Sequence, residues 1–307
     1  MILTENHTLV DPHDLQGLVD LAVVAEESGF DAVMLSEHLA LGPSASSLGA
    51  PANPRAYAAP GNQDPRMAWP STPVLAGAIA RATSRVRIVL GAVIAPLRHP
   101  VLLAKELATL DRLSGGRLVV QPTVSWHADE YAALGVPFEH RGVILDECLD
   151  AMHALWTASS SASPASFTGD WFSFDEVYSE PGCHRPGGPV MWFGGQHVHR
   201  RLLDRLVRYG SGFHPFGAPT PADLDRLAAG LTAAGRDLAE LEMVGGTRAT
   251  FAGPDDVADV MASMATFPAQ LAAGSTIFCM KPSQHTDSIA AVPDVCRTMV
   301  AHLASLT

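Results

Sequence analysis

The sequence predicts an α/β fold, a (β/α)8 TIM barrel formed as one domain over residues 1–307, and three observations carry that expectation. Runs rich in Val, Ile and Leu, at Val86–Ile94 and Leu118–Val120, flank a segment in which Leu103, Leu107 and Leu110 recur at helical spacing. Strands that are apolar throughout belong to parallel sheets buried on both faces. Strand-like and helix-like segments alternate eight times from end to end. The 307 residues, 47% hydrophobic, suffice for one barrel of roughly 250 residues with insertions.

Taken in order, Ile2–Glu5 reads as a very short first strand, as though the start of the chain were clipped. Leu15, Leu18, Val19, Ala22 and Ala25 trace a helix face that Gly29 stops. Ala32–Ser36 is the second strand and leads into Glu37-His38. From Leu41 to Pro70 the chain is rich in Pro, Gly and Ala without periodicity. A loop of that length is functional or disordered, and Arg55, Tyr57, Met67 and Trp69 within it suit a lid over a substrate. Val74–Thr83 is the second helix, and the third strand, third helix and fourth strand follow. Helices are expected from Ala128 and, along the row Leu145, Cys148, Leu149, Met152, Leu155 and Trp156, before a second insertion at 157–189. Val190–Phe193, Ser211–Phe216, Met243–Phe251 and Ser275–Met280 are strands five to eight. Between the last two, Gly253-Pro254-Asp255-Asp256 resembles a helix start, and the final helix is expected to break at Pro293.

A net charge of −12 disfavours nucleic acid and anionic membranes as partners. The first residues lack the pattern of a signal peptide, and no apolar run reaches the ~20 residues of a membrane span. Cys148, Cys183, Cys279 and Cys296 have no CxxC spacing and suit buried thiols in a reducing, cytoplasmic setting.

The wording of several segments adds to this pattern. RHPVLLAKELATLDRLSGGRL resembles the third-helix signature of the luciferase-like monooxygenase superfamily, GFDAVMLSEH its close of strand two, and LGVPFEHRGVILDE its phrase before the long helix. The resemblance runs from Gly29 to Lys281. It implies a flavin- or deazaflavin-dependent barrel enzyme, often dimeric, acting on a small-molecule substrate. LGAVIAPLRHP and DPRMAWPSTPVLAGAIARATSRVRI are similar to the coenzyme F420 branch, which moves a hydride between deazaflavin and an organic substrate. An FMNH2-dependent monooxygenase served by a separate flavin reductase is the alternative. A barrel that only binds a ligand is a third reading.

Candidate site residues lie at the C-terminal ends of strands, where barrels keep their chemistry. His38 could pass a proton or make a structural contact with a carboxylate; the resemblance favours the first, with Glu37 orienting the ring or binding cofactor. The resemblance also implies a non-proline cis bond against the cofactor ring, matched at Ala92–Val93, with Ala95 on the same wall. Where relatives mostly read Gly-x-Gly-x-Gly, strand four reads Gln121-Pro122-Thr123-Val124-Ser125-Trp126. The cofactor wall expected from Val124, Ser125 and Asp129 is therefore bulkier. Trp126 stands where the F420-dependent sugar-phosphate dehydrogenases carry a catalytic Glu, and Gly42 where they carry a Trp, which argues against that substrate class. Trp69 and Trp126 are the expected substrate contacts. Gly194, Gly195, Gln196 and His197, opening a helix, suit a phosphate cradle. His197-x-His199 has the spacing of metal ligands, but the first strand offers no partner pair, so no metal is assigned.

Overall fold

The computed structural model describes residues 1–57 and 59–306; Ala58, inside the expected lid segment, and Thr307 lie outside the described residues. Helix α1 (Leu15–Glu27) is capped by the Asp14 carboxylate, which accepts from the Gly17 N–H, and the chain turns at Gly29 with φ +89°. Strand β1 (Ala32–Leu35), α2 (Thr72–Ala82), β2 (Arg87–Ile94), α3 (Pro100–Leu113), β3 (Leu118–Thr123), α4 (Ala128–Ala133) and α5 (Arg141–Ser160) follow. A hairpin of β4 (Ala165–Thr168) and β5 (Ser173–Val177) precedes β6 (Val190–Gly195), α6 (Arg200–Tyr209), β7 (Gly212–Pro215), α7 (Pro221–Ala233) and β8 (Glu242–Gly246). The chain ends with α8 (Val260–Ser263), α9 (Phe267–Ala272), β9 (Ile277–Cys279) and α10 (Val292–Leu306).

Seven strands form one curled sheet in the order β1-β2-β3-β6-β7-β8-β9, and every pairing in it is parallel. All strand C-termini therefore share one pole. Alternate residues face opposite ways. Val33, Leu35, Ile88, Leu90 and Phe213 pack outward against helices, whereas Met34, Val89, Val119, Trp192 and Val244 fill the inside of the curl with Ile2.

The expected first strand is reduced to a bridge between Ile2 and Met34. The Ile2 N–H donates to Met280 O at 2.8 Å and the Met34 N–H to Met1 O at 2.8 Å, so this short segment bonds to both sides of the sheet. It stops there because the Thr4 hydroxyl, not a backbone carbonyl, accepts the Ser36 N–H at 2.8 Å.

Two other expectations are corrected. Gly253-Pro254-Asp255-Asp256 is not helical: the Asn53 amide donates to Gly253 O at 3.0 Å and Asp256 O at 2.9 Å, engaging carbonyls that a helix would use. Helix α8 begins later, where Asp259 caps the Ala262 N–H. Pro293 does not break the last helix but sits in its first turn, where a missing N–H is harmless. The helical stretch Ile289–Leu306 has mean hydropathy 1.2 over 18 residues, short of the ~20 of a span; it packs Val292, Cys296 and Met299 into the core.

Candidate active site

Three residues beyond β1, His38 stands at the pole of strand C-termini with a side chain only 9% exposed. Three aromatic rings meet its ring edge-on: Trp69 at 5.1 Å, Trp126 at 5.7 Å and His127 at 6.4 Å between centroids. Trp69 also lies 6.2 Å from His7. The sequence named His38, Trp69 and Trp126 from segments far apart in the chain, and the fold gathers them.

The carboxylate against His38 is Glu130, in the first turn of α4. Its Oε1 lies 2.6 Å from His38 Nδ1 and its Oε2 accepts the Leu39 N–H at 2.9 Å. Glu37, the expected orienter, is engaged elsewhere. Its oxygens accept from Arg98 at 2.6 and 2.9 Å and from the Ile94 N–H at 2.9 Å, in a fully buried side chain. Glu37 thus fastens the turn after β2.

His127 is 1% exposed, and its Nε2 accepts the Gly42 N–H at 2.7 Å, while its Nδ1 has no partner. Burial lowers its pKa below the usual histidine value, so the ring is neutral. Asp129 Oδ2 accepts from the Ser44 hydroxyl at 2.8 Å, and a Cβ at Gly42 would collide with that carboxylate. Position 42 has room for glycine alone, and Asp129 fastens the start of the 41–70 segment.

That segment crosses the pole. Trp69 meets His38; Arg55 donates to Asp287 at 2.6 and 3.0 Å; and Lys281, 2% exposed at the end of β9, donates to Ala56 O at 3.2 Å. Lys281 also lies 3.9 Å from Glu5 Oε2 and 5.3 Å over the Tyr57 ring. Burial lowers the Lys281 pKa.

The expected cis bond is displaced by one residue: the non-proline cis peptide is Gly91–Ala92, not Ala92–Val93. Gly91 pairs with Gln121 and Val93 with Pro122, so the ladder skips Ala92 where Pro122 has no N–H to give. Val93 and Ala95 are fully buried among the residues that pack on the helices, leaving Ala92 half-buried at the bulge. Beyond β3, Val124 O accepts from the Tyr131 hydroxyl and Ser125 adopts φ +57°. Gln121 points into the curl, where its Oε1 accepts from His214 Nδ1 at 2.8 Å. Burial pushes His214 down to about 4.

The Gly194–His197 turn lies three strands from β1 in the sheet order, about 14 Å away at ~4.8 Å per strand. A Cβ at Gly194 would stand 2.9 Å from both Gln121 Nε2 and His214 O. The Val198 N–H is taken by the Asp223 carboxylate at 2.8 Å, and Asp223 is also 3.3 Å from His197 Nδ1. Hydrogen bonds from the Thr220 hydroxyl and Val198 N–H hold Asp223 ionised well below the usual carboxylate range. Arg201 turns away to Asp146 at 2.6 Å. Asp223 thus competes with any anion for the His197–Val198 end of this turn.

A flavin or deazaflavin ring fits the His38 end better. Trp69 Nε1 and His127 Nδ1 are buried donors without protein acceptors, both on rings that touch His38, and such a heterocycle carries carbonyl acceptors.

Sequence reasoning missed Glu130 as the partner of His38. Asp129 and Glu130 are consecutive carboxylates in one helical turn, and only the helix's rotation decides which faces His38. Gln121–His214 and Lys281 were equally hidden, because their partners come from other strands and from the 41–70 segment.

Comparison with known proteins gives the family of the chain. An uncharacterized protein of Mycobacterium tuberculosis is 35% identical over 150 residues, spanning 48% of this chain and 49% of that one, so the match covers about half of that relative's length. An F420-dependent glucose-6-phosphate dehydrogenase of Nakamurella multipartita is 29% identical over 73% of this chain and 60% of its own. An FMNH(2)-dependent dimethylsulfone monooxygenase of Pseudomonas putida is 29% identical over 42% of this chain and 35% of its own. The crystal structure of monooxygenase RslO1 from Streptomyces bottropensis shares the fold, with TM-score 0.74 and 18% identity over 99% of this chain and 98% of that one. The sequence profile described as luciferase-like monooxygenase matches residues 1–291. This chain belongs to the luciferase-like monooxygenase family, whose members are flavin- or F420-dependent oxidoreductases and monooxygenases.

Proposed function

We propose that the protein is an F420-dependent oxidoreductase that moves a hydride between deazaflavin and a small organic substrate, with His38 handling the substrate proton. The observation that carries this reading is the buried His38, bonded to Glu130 and walled by Trp69 and Trp126, in a member of this family. F420 is preferred to FMN because the F420-dependent relative aligns over 73% of the chain and the FMNH(2)-dependent one over 42%. When bound, the deazaflavin would supply two-electron hydride chemistry. His38 would hold or accept a proton at its ring, Trp69 and Trp126 would exclude water from it and position the substrate, and the donors on Trp69 and His127 would meet ligand carbonyls. Met1–Leu3, bonded to both sides of the sheet, would serve as the eighth strand of a closed barrel. The reading includes a homodimer, which light scattering on the eluted protein checks.

Fluorescence titration with F420 and with FMN tests the assignment. Micromolar or tighter F420 and weaker FMN are expected. Tighter FMN would move the protein to the reduced-flavin monooxygenases, with a separate reductase as partner. Binding of F420 without turnover of any alcohol or carbonyl substrate would favour a ligand-binding barrel.

A further inference from the structure

We propose that Glu130 is a positioning residue that fixes which ring nitrogen of His38 carries the proton, an inference that rests on the role given to His38 above. The geometry leaves the carboxylate little freedom. Its side chain is 0% exposed, with Oε1 on His38 Nδ1 at 2.6 Å and Oε2 on the Leu39 N–H at 2.9 Å. One carboxylate therefore holds both the imidazole and the backbone immediately after it. The two partners lie 92 and 91 residues away in sequence, so the contact is made by the fold and not by local chain geometry.

An ionised carboxylate only accepts hydrogen bonds. With Oε1 as the acceptor, Nδ1 is the donor, and in the neutral ring the lone pair falls on Nε2, the nitrogen facing away from Glu130. The rings of Trp69, Trp126 and His127 stand at 72°, 81° and 84° to the imidazole and oppose its rotation. No other nearby carboxylate does this work: Glu37 is committed to Arg98 and Ile94, and Asp129 to Ser44. His127 does not compete for Glu130, because its Nε2 accepts from Gly42. The arrangement follows the general logic of a base oriented by a third group, and wrong-tautomer variants of such sites lose activity while keeping their geometry.

The test uses the full-length protein labelled with 15N-histidine. At neutral pH the His38 signals should report a proton on Nδ1 and a bare Nε2. Glu130→Gln keeps the side-chain shape but presents an amide that can donate, so the proton should move to Nε2. Glu130→Asp keeps the charge and should retain the Nδ1–H form. In turnover, Glu130→Gln should lower kcat about 10²-fold, within the ~10²–10⁴ range of a whole general base, with KM and cofactor affinity within about twofold of wild type. A wild-type His38 protonated on Nε2, or a folded Glu130→Gln variant with unchanged tautomer, overturns the proposal. If Glu130→Gln does not fold, the wild-type and Glu130→Asp spectra still decide it. The tautomer is read without cofactor or substrate, so failure to bind F420 would defeat the functional assignment and leave this result standing or falling by itself.

Discussion

At the scale of single residues, the site depends on contacts that the chain order hides. His38 was legible because it follows a strand-like run and closes the GFDAVMLSEH phrase. Its partner was not: Glu37 is adjacent in sequence, yet strand alternation turns it outward onto Arg98, while Glu130 arrives from α4. His38→Ala should lower turnover by ~10²–10⁴-fold with cofactor affinity nearly unchanged. A histidine that only packs would instead lower the melting temperature and alter turnover through the folded fraction. Rate, affinity and melting measured on one preparation separate the two outcomes, and near-wild-type turnover in a stable variant would remove His38 from the mechanism.

At the scale of elements, the 41–70 segment was legible as unusual but not as fastened. Composition reveals missing periodicity; it does not reveal that Ser44 meets Asp129, that Asn53 holds the chain at 253–256, or that Arg55 meets Asp287. Asn53 is 4% exposed and donates twice, so Asn53→Ala strands two carbonyls at a cost of about 1–3 kcal/mol. The loss should be local. Hydrogen exchange should accelerate in peptides covering 41–70 and 253–258 and stay unchanged in α3. Uniform acceleration, or none, would show that the segment is held by other means. The same blindness explains the helix expected at 253–256: its local signals were sound, and Asn53, 200 residues away, overrode them.

At the scale of the whole molecule, the parallel sheet was readable because β1, β2, β3 and β6 carry apolar runs that are buried on both faces. The order β1-β2-β3-β6-β7-β8-β9 follows from a chain that advances one strand at a time. The surroundings of the expected phosphate cradle were hidden for the opposite reason. Two glycines before a helix carry no record of Asp223, which reaches the turn from α7. Burial also sets the response to acid. His7, His127, His199, His214 and His285 all have pKa values lowered chiefly by burial from 6.5, His214 to about 4. Below pH 6.5 the unfolded chain therefore binds protons that the native state refuses, and stability falls as pH drops toward about 4. Melting temperatures should be several degrees lower at pH ~5 than at pH ~7.5; equal values would contradict the burial of these rings. Melting the protein alone, with F420 and with FMN then tests the deazaflavin assignment most directly. At ~100 times its dissociation constant a ligand adds ~2.7 kcal/mol to native stability. A clear upward shift with F420, larger than the shift with equal FMN, is the predicted result; a shift with FMN alone would contradict it.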